Sequence, residues 1–325
     1  MFERIVELIE KYDSIVIFGH LHPDGDCYGS QIGLRETLSM AYPSKKVYAV
    51  GSGLPDFFER LGAMDIIDDS VIENSLAILV DSNDLERAED KRIYHAKAWC
   101  KIDHHIDTGH FNEGPYVLIE DANSTCEILV TLIEEQHFPM NKRAAEALYL
   151  GILTDTGRFQ FVKDFPAIFR TVGRLCQQGV EPRALNTILT MTSENSMRIR
   201  GYVFTHYKKT EHGVIYCVLT RDVLEKFNLE GPQAANMVNL ISNIKKYPIW
   251  AFFCENPNGT LGIEVRSNSA VVQPVCASHG GGGHAHAAGV TLPHFSEENI
   301  NMILRELDEV NIEYFKENEL CGKKK

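Results

Sequence analysis

Acidic residues and histidines are concentrated in four short segments of this sequence. The segments contribute His20, Asp24 and Asp26 in GHLHPDGDCYGS; Asp81 in VDSND; Asp103, His104 and His105 in KIDHH; and Asp155 in GILTDTGRF. Carboxylate oxygens suit hard divalent cations, and imidazole nitrogens shift the preference from Mg²⁺ towards Mn²⁺. An aspartate considered alone is more often a helix cap or a turn residue than a metal ligand. Together, the four segments predict metal chemistry if the fold brings them to one place.

The first half of the chain has the pattern needed to bring these segments together. Short apolar runs alternate with helical patterns, which is typical of a parallel sheet wrapped by helices. Three of the acidic segments follow such runs directly, and the carboxyl ends of parallel strands line the ligand crevice of an open α/β sheet. The predicted strands are 14–19, 47–50, 76–80 and 98–102, and the predicted helices of this half lie near 27–41 and 126–137.

Several buried acids in one place repel one another, and an unpaired buried charge costs several kcal/mol. Two divalent cations would remove this cost, and a two-metal centre is an arrangement used for in-line attack on phosphorus. The residues therefore favour phosphoryl chemistry at the edge of the sheet.

The second half becomes helical from 141 to about 208, and strands return after 212. We expect strands at 214–219, 250–255 and 261–265, with a hairpin turn at the Asn-Gly pair of Asn256–Thr260. The predicted fold is α/β, with a parallel-sheet domain that carries helices on both faces at 1–184. A helical linker at 185–208 and a smaller mixed α/β domain at 209–325 follow.

Composition limits the classes of partner. The chain has 325 residues, a net charge of −13 and eight cysteines. Binding of long nucleic acid depends on Lys and Arg replacing counterions, so this charge argues against it. The cysteines form no Cys-x-x-Cys pair, which favours reduced thiols and a cytoplasmic protein. We find no apolar run of the ~20 residues that a membrane span needs.

A glycine run near the end of the chain is the second candidate site. Gly280–Gly283 would let backbone N–H groups approach an anion, and His284 adds a donor. Arg266 lies in a preceding strand-like run and offers a fork-shaped phosphate partner. A bare glycine run is typical of a flexible loop, but with Arg266 and His284 it favours phosphate binding.

The order of these motifs resembles that of the DHH phosphoesterases, named for Asp-His-His. The four acidic segments are similar to the first four motifs of that family. The associated DHHA1 domain is similar to a fifth segment, SHGGGGHAHAAG, together with the earlier Val265-Arg266-Ser267. The five motifs cover roughly residues 14–290, and the chain is most similar to the short oligoribonuclease and pAp phosphatase subgroup.

The resemblance implies a role for each matching residue. It implies two Mn²⁺ ions, for which Mg²⁺ or Co²⁺ could substitute. One ion would be held by His20, Asp24 and Asp81, and the other by Asp26, Asp81, His104 and Asp155. Asp81 would bridge the ions, Asp103 would orient a histidine, and His105 would face the substrate phosphate or the leaving oxygen. The predicted substrate contacts are Arg266, Ser267, Gly282, Gly283 and His284, with Asn123 at the entry of the helix after the third motif.

The substrate implied is a short nucleotide: a dinucleotide or short RNA with a phosphorylated end, or pAp. Release of mononucleotides, no membrane association and a homodimer are further expectations. Three other hypotheses about the function remain: a cyclic-dinucleotide phosphodiesterase, a family II pyrophosphatase or a nucleotide sensor without turnover. A RecJ-like exonuclease would need further nucleic-acid-binding segments.

Several neighbouring residues have less defined roles. We expect His22 to face solvent or to support a ligand, and Cys27 to pack in the core at the start of a helix. His286 departs from the common form of the family motif. Arg158 could neutralise charge at the metal site or pair with a nearby acid.

Overall fold

The computed structural model describes residues 1–21, 23–51, 58, 61–107 and 109–322, with side chains up to 318. His22, for which a supporting or solvent-facing role was predicted, lies outside the described residues. The chain divides into two units, Met1–Met191 and Thr192–Lys325.

A parallel five-stranded sheet organises the first unit, in the order β2-β1-β3-β4-β5. All five residues of β3 are buried, as expected for a parallel strand that is covered on both faces. The first four strands match the predicted ones to within one residue at each end. The strands are β1 (Ser14–Phe18), β2 (Lys46–Val50), β3 (Leu76–Val80), β4 (Ala98–Asp103) and β5 (Tyr116–Leu118).

Helices cover both faces of this sheet, which confirms the predicted fold class. The longer helices pack on one face, where Ile15, Ile78 and Ile102 point, whereas short helical turns cover the face of Val16 and Leu79. The helices are α1 (Glu3–Lys11), α2 (Gly25–Ala41), α3 (Asp69–Glu73), α4 (Thr125–Glu135), α5 (Lys142–Asp155), α6 (Phe165–Gln177) and α7 (Pro182–Thr190), with 3₁₀ turns at Leu85–Arg87 and Lys91–His95.

Glycines allow α2 and α5 to approach closely. A Cβ atom placed on Gly29 would lie 2.6 Å from the carbonyl oxygen of Ala147. One placed on Gly151 would lie 2.3 Å from Cys126 Sγ and 3.0 Å from Asp26 Oδ1. This close packing brings the beginning of α2 next to the end of α5, where two of the acidic segments lie.

The second unit contains a mixed six-stranded sheet in the order β10-β11-β9-β8-β7-β6. Only β7 and β8 pair in parallel, and the other neighbours are antiparallel. The predicted hairpin joins β8 to β9, with Gly259 at a positive φ of 77°. The strands are β6 (Lys208–Lys209), β7 (Val214–Leu219), β8 (Ile249–Glu255), β9 (Leu261–Ser267), β10 (Gly282–His284) and β11 (Ala287–Leu292).

The helices of the second unit are α8 (Glu194–His206), α9 (Arg221–Lys226), α10 (Gly231–Ala235), α11 (Gln273–Ser278) and α12 (Glu297–Gly322), with a 3₁₀ turn at Val238–Ile241. The segment predicted as a linker, 185–208, begins in α7 and includes α8. Leu185 is buried in the core of the first unit, whereas Ile199 and Val203 are buried in the core of the second. In the part of the chain that the structure describes, no helix is long and apolar enough to cross a membrane.

Candidate active site

The first acidic segment forms the turn between β1 and α2. Asp24 is the N-cap of α2, and its Oδ1 accepts hydrogen bonds from the backbone N–H groups of Asp26 and Cys27, at 3.0 and 3.1 Å. His20 Nδ1 lies 2.9 Å from the carbonyl oxygen of Leu21, which it can reach only as a donor. His20 Nε2 therefore faces carboxylates, at 3.9 Å from Asp24 Oδ1 and 3.5 Å from Asp81 Oδ2.

Asp26 is buried against the beginning of α4. Its Oδ2 accepts from the backbone N–H of Thr125 at 2.6 Å, and its Oδ1 accepts from that of Cys126 at 3.0 Å. The N-terminus of a helix favours negative charge, since its first N–H groups lack partners inside the helix. Ser124 caps the same helix through a bond from the backbone N–H of Glu127. The position of this carboxylate is thus fixed by a neighbouring helix.

Asp81 follows β3 in a left-handed backbone conformation, with φ at 57°. Such a conformation is uncommon for a residue with a side chain, and residues held in it are enriched at functional sites. Asp81 Oδ1 accepts from the hydroxyl of Thr125 at 3.0 Å and lies 3.6 Å from His104 Nε2, whereas its Oδ2 faces His20. The buried Asp81 carboxylate therefore lies between the two histidines, as a bridging ligand would.

His104 and Asp155 complete the cluster. His104 Nε2 lies 3.3 Å from Asp155 Oδ2 and 3.9 Å from Asp26 Oδ2. Burial, followed by the charges of Asp81 and Asp155, raises the pKa of Asp26 well above its ordinary value. Burial and the charges of Asp81 and Asp24 also raise the pKa of Asp155, to about 7. These acids repel one another, and divalent cations among them would remove that repulsion.

The donor atoms of this cluster fit metal ions. Asp26, His104 and Asp155 form one group whose ligand atoms lie within 4.8 Å of one another, and His20 and Asp81 belong to another. The second group includes the thiol of Cys27, whose pKa is raised well above its ordinary value by burial and the charge of Asp81. A protonated thiol is a poor ligand, so the oxygen and nitrogen donors define a site for hard or borderline cations.

Asp103 is fully buried behind the cluster and orients His105. Its Oδ1 accepts from the backbone N–H of His104 at 2.9 Å and pairs with His105 Nδ1 at 2.8 Å. The bond to Asp103 raises the pKa of His105. Burial alone would raise the pKa of Asp103, but the bond with His105 and the charges of His105 and Lys101 lower it.

Lys101 is a functional candidate that the sequence interpretation missed. It is buried in β4, where Nζ lies 3.5 Å from Asp103 Oδ2 and donates to the carbonyl oxygen of Asn83 at 3.0 Å. The sequence did contain a signal, because Lys101 lies in a predicted strand directly before Asp-His-His. A lysine is rarely buried without a partner, so its position indicates a nearby acid. Its charge balances that of Asp103.

The second set of predicted residues lies in the second unit. Ala287 of β11 lies opposite Arg266 on one side and His284 on the other, so these side chains share one face of the sheet. Arg266 Nη1 donates to Glu264 Oε2 at 2.7 Å. Gly282 and Gly283 belong to strand β10, so the glycine run is only partly a loop.

Two other predicted residues, Ser267 and Asn123, already have partners in the protein. The hydroxyl of Ser267 bonds to the carbonyl oxygen of Ala270 and lies 3.2 Å from His286 Nδ1, so a contact with substrate would compete with these bonds. Asn123 Nδ2 donates to Glu127 Oε2 at 2.8 Å, and its Oδ1 accepts from the backbone N–H of Lys163 at 2.7 Å. Arg158 is exposed at a positive φ of 60°, without an ion pair among the described residues.

Comparison with known proteins identifies the family. Residues 14–152 match the DHH family, N-terminal domain, and residues 211–313 match the DHHA1 domain. The chain is 32% identical over 307 residues to a probable bifunctional oligoribonuclease and PAP phosphatase, NrnA, of Streptococcus mutans, covering 94% of this chain and 98% of the relative. The chain belongs to the DHH/DHHA1 family of phosphoesterases.

Further relatives extend over both domains. The bifunctional oligoribonuclease and PAP phosphatase NrnA of Bacillus subtilis is 32% identical over 312 residues, covering 94% of this chain and 97% of the relative. The crystal structure of an exopolyphosphatase-related protein from Bacteroides fragilis has a TM-score of 0.84 and 25% identity, covering 94% of this chain and 96% of that one. The predicted family and fold are therefore confirmed. The predicted ligands from all four motifs lie close to one another within the DHH domain.

Proposed function

We propose that this protein hydrolyses short nucleotides with the help of two Mn²⁺ ions. Its substrates would be dinucleotides and short RNA with a phosphorylated end, from which it releases mononucleotides, and pAp, which it converts to AMP. The main support is the convergence of three aspartates and two histidines around Asp81. The relatives named as oligoribonucleases and PAP phosphatases support the choice of substrate.

We assign His20, Asp24 and Asp81 to one ion, and Asp26, Asp81, His104 and Asp155 to the other. The mixture of carboxylate and imidazole donors favours Mn²⁺, with Mg²⁺ or Co²⁺ as substitutes. Two such ions, when bound, activate water for attack and stabilise negative charge around phosphorus.

The protein's own residues hold these ligands in place. Backbone N–H groups of α2 and α4 fix Asp24 and Asp26, and the hydroxyl of Thr125 fixes Asp81. Such support from the surroundings of a ligand sets its orientation and its affinity for metal. Because Nδ1 of His105 pairs with Asp103, its Nε2 is left to contact the phosphoryl group or the leaving oxygen.

In the DHHA1 domain we assign Arg266 and His284 to the terminal phosphate of the substrate. Their side chains share one sheet face, and an arginine that bonds to Glu264 through Nη1 keeps other N–H donors for a phosphate.

We expect the protein to act in the cytoplasm, as a homodimer. The seven cysteines whose side chains are described are unpaired.

A hydrolysis panel tests this function. It contains pAp, 5′-phosphorylated RNA of two to ten nucleotides, cyclic di-AMP, cyclic di-GMP and pyrophosphate, each with Mn²⁺. The wild type is compared with His284→Ala, and His294→Ala, at an exposed histidine of the same domain, is the control. We expect dinucleotides and pAp to turn over fastest, and only His284→Ala to slow them. A preference for pyrophosphate, or no turnover with metal bound, would overturn the proposal.

A further inference from the structure

The segment that follows Asp155 has an unusual backbone conformation. Gly157, Arg158 and Phe159 are three consecutive residues at positive φ, with values of 55°, 60° and 66°. Glycine adopts this conformation freely, but it is strained for the other two residues. Strained backbone of this kind is enriched at functional sites. The turn is therefore consistent with a role at the adjacent acidic cluster.

Hydrogen bonds fix the course of this turn. Thr156 is buried, its hydroxyl accepts from the backbone N–H of Phe159 at 3.0 Å, and its carbonyl oxygen accepts from that of Phe161 at 2.9 Å. Further along, the backbone N–H of Lys163 donates to Asn123 Oδ1 at 2.7 Å, next to the beginning of α4. The segment is thus held at both ends, and its backbone is arranged before a ligand binds.

The turn presents the ring of Phe161 on the surface of the DHH domain. Phe161 is 69% exposed, whereas Phe159 packs against the core, with its ring 6.4 Å from that of Tyr149. A Cβ atom placed on Gly157 would lie 2.7 Å from Phe161 Cδ2, so the ring lies directly against the glycine backbone. Gly157 comes two residues after Asp155. The ring is therefore supported by the glycine and is otherwise open, close to the acidic cluster.

The same turn carries a positive charge. Arg158 is exposed and has no ion pair in the described part of the chain, in a protein whose net charge is −13. Aromatic rings bind nucleobases by stacking, and arginine binds phosphate groups. The segment 155–161 thus combines a ring, a cation and a proposed metal ligand. This combination fits a nucleotide better than an apolar protein partner.

We propose that the ring of Phe161 stacks on the base next to the phosphate that is hydrolysed. This proposal rests on the proposed function, since the base belongs to the nucleotide whose phosphate lies at the acidic cluster. Stacking depends on the π-face that every base has, so the ring accepts the adenine of pAp as well as the mixed bases of short RNA. It adds affinity for a nucleotide without selecting a sequence.

The test compares pAp with an analogue that carries hydrogen in place of adenine, so that both substrates present the same two phosphates. For Phe161→Ala we expect kcat/KM for pAp to fall about 5- to 150-fold, mainly through KM, because stacking on one ring is lost. This variant should hydrolyse the base-free analogue at the wild-type rate. Phe161→Trp supplies another stacking surface and should keep the wild-type kcat/KM for pAp.

Phe204→Ala is the matched control, because Phe204 is another exposed phenylalanine, at 53%, and lies in α8 of the second unit. It should leave the hydrolysis of both substrates unchanged. An equal loss with both substrates in Phe161→Ala would overturn the proposal, since the ring would then only support the turn. An unchanged kcat/KM for pAp in that variant would overturn it as well.

Binding of AMP separates this proposal from the proposed function. If the wild type hydrolysed neither pAp nor a dinucleotide, the proposed function would fail, and calorimetry with AMP, Mn²⁺ and the full chain would test the ring by itself. Affinity for AMP that is about 5- to 150-fold weaker in Phe161→Ala than in the wild type would support the proposal. Equal affinity in the two proteins, or no binding by either, would contradict it.

Discussion

The acidic cluster of the DHH domain and the glycine-lined face of the DHHA1 domain represent two ways of building a site. In the first, Asp26 and Asp81 are buried, and each carboxylate is held by bonds from a neighbouring helix. In the second, Arg266 and Glu264 are half-buried on an open sheet face, where glycines leave space for a ligand. Under the proposed function, the first site would perform the reaction on any substrate, whereas the second would select among substrates.

The largest effect should come from the centre of the acidic cluster. Asp81→Asn removes one charge and one oxygen donor of the residue proposed to bridge the ions, so we expect kcat to fall on the order of 10³-fold for every substrate. Steady-state kinetics with pAp and with a dinucleotide would measure this. Asp121→Asn, at an exposed aspartate of the same domain, should keep full activity. A loss confined to one substrate would break the distinction between the two sites.

Asp103→Asn tests the layer behind the cluster. Because Asp103 orients His105 and pairs with Lys101 rather than facing the other acids, we expect kcat to fall about 10- to 100-fold with little change in KM. The Mn²⁺ content, measured by mass spectrometry, should remain that of the wild type. Loss of the metal would instead place Asp103 among the ligands.

The packing of α2 against α5 can be tested through stability. Gly151→Ala places a methyl group against Cys126 and Asp26, so we expect a loss of about 1–3 kcal/mol in the free energy of unfolding, together with lower activity. Gly173→Ala in the exposed face of α6, where a Cβ atom meets nothing within 4 Å, should stabilise the protein by about 0.5–1 kcal/mol. Urea denaturation of both variants measures the difference, and equal stabilities would refute the close-packing argument.

The smallest effect should come from the open face. Arg266→Lys keeps the charge but removes the fork of the guanidinium, and we expect KM for a dinucleotide to rise about fivefold while kcat is retained. Arg305→Lys, outside the phosphate face in the same domain, serves as the control. A fall in kcat without a change in KM would assign Arg266 to the reaction rather than to selection.

Much of the DHH domain could be predicted from the sequence. Apolar runs that end in Asp or His define parallel strands, and such strands bring their carboxyl ends to one edge, as happens for His20, Asp81 and His104. The predicted start of α4 at Cys126 lies one residue after the observed start at Thr125. Local patterns were sufficient here because the residues follow their strands directly.

Other features depend on contacts between distant segments, which local patterns do not encode. By its charge, Lys101 interrupts the apolar pattern of a buried strand. The structure shows that it is buried together with its partner Asp103. Glu264 gains its place from the register of β9 with β11. The glycine run favours a loop by composition, yet pairing with β11 makes Gly282–His284 a strand.

Titration of the metal-free protein with Mn²⁺ by calorimetry tests the central claim, a two-metal centre bridged by Asp81. We predict two Mn²⁺ ions per chain in the wild type, and loss of tight binding at both positions in Asp81→Asn. Fewer than two ions in the wild type, or two ions bound with unchanged affinity by Asp81→Asn, would contradict the account.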